Sequence, residues 1–141
     1  MRMRFSAWLL GLVCVLGFLP GAQGGEFAGG SGTSANPWLI STTEQLAALT
    51  NYVGLKGVEK YFKLANDIVF TTADFSVGGA YYNGGAGWLP IGDRQATNRV
   101  FSASLDGDGH TIWNLRINRP RGEDVGLFGS TEGASVFNLH L

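Results

Sequence analysis

A few short stretches hold side chains that could do chemistry. In "DGDGHT", Asp106 to Thr111, two carboxylates and a histidine crowd together. The run begins like a calcium loop, but His110 and Thr111 stand where an EF-hand needs Asp/Asn and the sharp-turn glycine. A tight turn between strands accounts better for Asp106, Gly107 and Asp108. Asp106/Asp108 and Glu123/Asp124 could be nominated as the carboxylate pair of a glycosidase, which needs two acids facing a substrate cleft. Acids adjacent in a turn are usually just solvated. His110 and His140, the two histidines, lie 30 residues apart (140 − 110) and fit no metal spacing. "GGSGT", Gly29 to Thr33, misses the G-x-S-x-G nucleophile pattern because its last residue is threonine. No G-x-x-x-x-G-K-[ST] phosphate loop is present, and "RGED", Arg121 to Asp124, is a charged loop without a recognised role. The sequence therefore predicts no catalytic residue, no cofactor and no metal.

The elements that would carry such residues begin with a leader. Arg2 and Arg4 precede an apolar run from Ala7 to Leu19, Pro20 ends it, and Ala22, Gln23 and Gly24 suit a signal peptidase. The run is shorter than the roughly 20 residues of a membrane span. We read residues 1–24 as a signal peptide, with the mature chain secreted or held at a bacterial cell surface. That chain has 117 residues (141 − 24), one domain's length. Cys14, the one cysteine, leaves with the leader, so neither a disulfide nor a thiolate metal site is expected. Eight Lys/Arg against eleven Asp/Glu give a charge near −3, which offers no basic field for nucleic acid.

Residues 25–40 form a Gly/Ser-rich lead-in, and 41–141 carry the periodic pattern. Ser41 and Glu44 fit an S-x-x-E capping box, and Leu46, Leu49 and Val53 share one helical face. Phe62, Leu64 and Ile68 read as strand, as do Phe101, Ala103 and Leu105, then Ile112, Leu115 and Ile117. Trp88, Trp113 and Phe137 are expected in the core or stacked. Tyr81 and Tyr82, set among glycines, are candidate contact aromatics for carbohydrate or protein. A loop folded over the flank is the plainer account of that pair.

"TIWNLRI" (111–117) returns as "SVFNLHL" (135–141), an offset of 24 residues (135 − 111). Such self-similarity marks a solenoid, whose units bury their apolar faces against neighbours. Stacked β-coils would set Asn114 over Asn138 as a short amide ladder, Ile112 over Val136, and Leu115 over Leu139.

The run "GLFG", Gly126, Leu127, Phe128 and Gly129, lies between "FSASLDGDGHTIWNLRI" and "GASVFNLHL". It resembles the GLUG-motif proteins, secreted or surface-anchored bacterial proteins that include adhesins. "GTSANPWLISTTEQLAAL", "YFKLANDI" and "WLPIG" extend the resemblance over most of the mature chain. It implies an all-β fold, a right-handed parallel β-helix begun by one short capping α-helix. The implied function is a non-enzymatic, adhesin-like surface module comprising the cap and first coils of a longer array. The alternative is the N-terminal part of a polysaccharide-active enzyme whose carboxylates lie downstream. Expected partners are downstream coils and a host-surface protein or glycan. Self-association through the C-terminal edge is expected for an isolated chain, because "VFNLHL" would leave backbone groups unpaired.

Overall fold

The computed structural model describes residues 25–95 and 98–141. The leader expected over residues 1–24 lies outside them. Helix α1, Thr43–Ala47, begins one residue later than the Ser41/Glu44 spacing suggests. Thr42 is the N-cap, and its hydroxyl accepts the Gln45 backbone N–H at 3.2 Å. The Gln45 side-chain oxygen reaches back to the Ser41 N–H at 2.8 Å. The cap is thus built on Thr42 and Gln45, which stand at the same three-residue spacing, with Gln45 returning to the residue before the N-cap. The chain then tightens into a 3₁₀ turn over Ala48–Tyr52, and Leu46 and Leu49 are fully buried.

The strands are β1 (Trp38–Ile40), β2 (Tyr61–Leu64), β3 (Ile68–Val69), β4 (Ser104–Asp106), β5 (Ile112–Trp113) and β6 (Ser135–Phe137). They form a four-stranded parallel sheet in the order β1-β2-β4-β6 and a two-stranded parallel sheet of β3 and β5. Alternation decides which face is inside. Phe62 and Leu64 are buried on β2 and Leu105 on β4, while Tyr61, Lys63, Ser104 and Asp106 are not. Ile68 and Ile112, paired across the second sheet, join the same core.

This architecture corrects the expected β-helix. Parallel sheets of two- to four-residue strands are joined by one short α-helix and several 3₁₀ turns, not by equal coils. Successive registers pair Trp38 with Phe62, Tyr61 with Ser104 and Ser104 with Ser135. The displacements are therefore 24, 43 and 31 residues (62 − 38, 104 − 61 and 135 − 104). The repeat seen in the sequence does not set the stacking, since Ile112 lies beside Ile68 and Val136 beside Leu105. The physical cause is the segment between β3 and β4. There Phe70, Phe75, Tyr81 and Trp88 make an aromatic cluster with ring centroids 5.2–6.1 Å apart, and short 3₁₀ turns wrap it. Burying that cluster takes a long excursion that no constant period accommodates.

The lead-in is part of the fold. Phe27 is buried and stacks on Trp38 at 5.4 Å, in a group completed by Tyr52 and Phe62. Glu26 accepts from Asn51 Nδ2 at 2.6 Å and from the Tyr52 hydroxyl at 2.8 Å. Ala28 N–H donates to the Leu39 carbonyl, and Leu39 N–H to the Gly29 carbonyl, both at 2.9 Å. Backbone from residues 28–29 therefore covers the outer side of β1.

Candidate functional site

The GLFG residues are a strut. Leu127 is buried, and its carbonyl accepts the Trp88 indole N–H at 3.1 Å and the Ile91 N–H at 2.9 Å. Phe128 packs against Phe101 with ring centroids 4.6 Å apart and the rings tilted by 30°. Gly129 N–H donates to the Ile91 carbonyl at 2.9 Å, and a Cβ there would strike the Gly92 carbonyl. Gly126 leads into this turn, and Ile91 and Phe128 meet in a parallel bridge. "GLFG" and "WLPIG" are thus two sides of one contact.

Asn114 and Asn138 have φ of +61° and +53°, in the left-handed region that asparagine tolerates better than most residues. Asn114 Nδ2 donates to the Phe70 carbonyl and Asn138 Nδ2 to Asp106 Oδ1, each at 3.2 Å. The two amides serve separate turns rather than one ladder. Of the candidate contact aromatics, Tyr81 is buried at 8% exposure and Tyr82 is half-buried. Trp88 is core as expected, whereas Trp113 and Phe137 stay 50% and 45% exposed. Ile112 points inward, so its neighbour Trp113 must point out.

The carboxylates considered for chemistry mostly hold turns and loops. Asp106 Oδ1 accepts the Asp108 N–H at 2.9 Å, Asp108 pairs with Lys63 at 3.0 Å, and Asp124 pairs with Arg94 at 3.1 Å. Asp67, which no sequence motif singles out, is the centre of a surface network. It accepts from Trp113 Nε1 at 2.9 Å and from the Thr111 N–H at 3.1 Å, and it lies 3.2 Å from His110 Nδ1. These donors, the Trp113 indole first and the Thr111 amide next, hold its carboxyl below the ordinary value. A depressed folded pKa means a contribution to stability that is present above the ordinary value, about 3.9. That contribution is lost as pH falls through the folded value. A carboxyl-resolved NMR titration should find Asp67 titrating low, and Trp113→Phe should move it back upward. An unmoved value would show that the indole is not the main cause.

Two surface features remain. One is the β6 end of the large sheet, where β6 pairs with β4 on one side and no other strand among the described residues lies on the other. Val136, Phe137 and Leu141 are 41%, 45% and 73% exposed there. They border an apolar hollow of about 490 Å³, also lined by Leu127, Phe128 and Leu139. The second feature is a cleft of about 850 Å³ between the segment around Leu89–Asp93 and the 118–124 loop. Its two walls are tied by Arg94, whose Nε and backbone N–H reach the two Asp124 carboxylate oxygens at 3.1 and 3.3 Å. No cluster of three or more potential metal ligands occurs among the described residues.

No family model matches the chain, and no solved structure matches it significantly. Relatives do. It is 37% identical, over 99% of its length, to a protein of Evansella cellulosilytica provisionally named a Gly-rich membrane protein. It is 36% identical, over 76% of its length, to Halomucin of Haloquadratum walsbyi. The chain spans 16% of the first relative and 1% of the second.

Proposed function

We propose that this chain is a non-enzymatic module of a larger membrane- or surface-associated protein, adhesin-like in the sense of the GLUG-motif proteins it resembles. In this reading its open sheet edge receives a strand from the rest of the assembly. The relatives' names, one a membrane protein and the other a halomucin, support a membrane or surface location. The strand-receiving role rests on one observation, the difference between the two ends of the large sheet. At β1 the backbone of residues 28–29 lies along the edge, whereas β6 carries exposed Val136 and Phe137 and has no strand on its outer side among the described residues. A free edge with apolar side chains is a template for another strand. Peptide-strand addition of this kind draws affinity from backbone hydrogen bonds and specificity from alternate side-chain pockets.

Sedimentation velocity on the full chain tests the reading. Mass should rise with concentration, and Val136→Lys should suppress the rise by placing a charge on the edge. A monomer at every concentration, unchanged by the substitution, would remove the basis for strand docking.

A further inference from the structure

We propose that the cleft beside the 118–124 loop binds a carboxylate-bearing sugar, a uronate unit of an acidic polysaccharide. Its volume, about 850 Å³, falls within the range of small-ligand sites, roughly 300–1,000 Å³. Four arginines stand in or beside it, and they differ in what they already hold. Arg94 is engaged by Asp124 at 3.1 Å and Arg99 by Asp93 at 3.3 Å. Arg119 and Arg121 line the cleft and form no ion pair with an acid among the described residues.

Arg119 is also pre-aimed. Its Nε donates to the carbonyl of buried Trp88 at 3.1 Å, which holds the guanidinium stem against the core. The backbone around it is stitched to the opposite wall. Trp88 N–H donates to the Arg116 carbonyl at 2.8 Å, and Asn118 N–H to the Ala86 carbonyl at 2.9 Å. Pro120 then limits the chain between the two arginines. A planar guanidinium offers paired N–H donors that match a carboxylate, with hydrogen bonds about twice as strong as neutral ones. Holding that fork in place lowers the ordering cost on binding.

The remaining lining argues for a sugar over an acidic peptide. Asn118 presents an amide suited to ring hydroxyls, and Thr50 and Asn51, whose donors go to the Ala47 carbonyl and to Glu26, keep oxygens that can accept from them. Glu123, an acid in the same wall, can accept from ring hydroxyls, which an acidic peptide lacks. With the two paired arginines set aside, Arg119 and Arg121 face Glu123, a surplus of one positive charge. One carboxylate per bound unit fits that balance. The cleft shares no lining residue with β6, so sugar binding and strand docking can fail separately.

Isothermal titration of the full chain tests this, using short galacturonate and hyaluronate oligomers beside a neutral galactan oligomer and tetraglutamate. At least one acidic sugar should bind, with affinity falling as salt rises. Arg121→Gln and Arg119→Gln should each weaken it about tenfold or more. Arg121 makes no side-chain hydrogen bond or ion pair among the described residues, so its substitution should leave the melting temperature unchanged. Failure of both acidic sugars to bind would overturn the proposal, as would equal binding of the neutral oligomer or unchanged affinity in both variants. Tetraglutamate binding as tightly as the sugars would overturn the sugar assignment.

Discussion

Phe62→Ala should destabilise the fold by about 3–5 kcal/mol, the usual cost of removing a buried phenylalanine. Phe62 is 1% exposed on β2, in the middle of the large sheet. Its ring lies 5.2–5.4 Å from those of Phe27, Trp38 and Tyr52. It therefore joins the lead-in, the first strand and the 3₁₀ turn after α1. Deleting the ring leaves a cavity that three other aromatics border, and none can collapse into it without leaving its own partners. For a domain of this size the midpoint of thermal unfolding should fall on the order of 10–20 °C. Phe137→Ala is the matched control, because Phe137 is 45% exposed on the edge strand. It should cost less than about 1 kcal/mol, in keeping with a surface substitution. Equal losses for the two variants would contradict the inside–outside assignment of the large sheet.

The second large effect is expected at Gly87. Its φ is +75°, and a Cβ there would collide with the Arg116 carbonyl. Gly87 meets Ile117 in an antiparallel bridge, so loop 83–87 and the strand-like segment after β5 approach closely at this point. Gly87→Ala combines two penalties. A left-handed backbone costs a residue with Cβ roughly 1–2 kcal/mol, and overpacking against fixed neighbours adds about 1–3 kcal/mol. Calorimetry should show a loss of roughly 2–5 kcal/mol. Gly84→Ala offers the comparison, since its φ of +65° is similar but nothing lies within 4 Å of a Cβ there. It should show the conformational part alone. If both glycines responded alike, the close approach would not matter to stability.

Local regularities were legible in the residues themselves. The buried partners Phe62/Leu64 and Phe101/Ala103/Leu105, the Leu46/Leu49 face and the turn at Asp106–Asp108 all follow from spacing of two or of three to four, or from turn chemistry. "GLFG" and "WLPIG" stood out only through a resemblance to a family, and it is the fold that shows that they touch. The asparagines read as an amide ladder between coils. Their identity reflects a left-handed backbone at Asn114 and Asn138, not a ladder between them. The 24-residue echo misled because it measures likeness of strands and turns, not which strands meet.

What the sequence by itself determined is therefore several of the short elements and part of their inner faces, because those depend on neighbours a few residues away. Strand β1 and the outward Trp113 and Phe137 were not among them. Only the tertiary structure decided the rest. The aromatic cluster around Trp88 and the stitched lead-in make the loops unequal, and unequal loops set registers of 24, 43 and 31 residues. The Asp67 network joins residues 43–46 positions apart, and Arg119 meets the Trp88 carbonyl across 31. No periodicity encodes such contacts, because each arises from how the whole chain closes over its core. The arginines facing the cleft are a consequence of that closure.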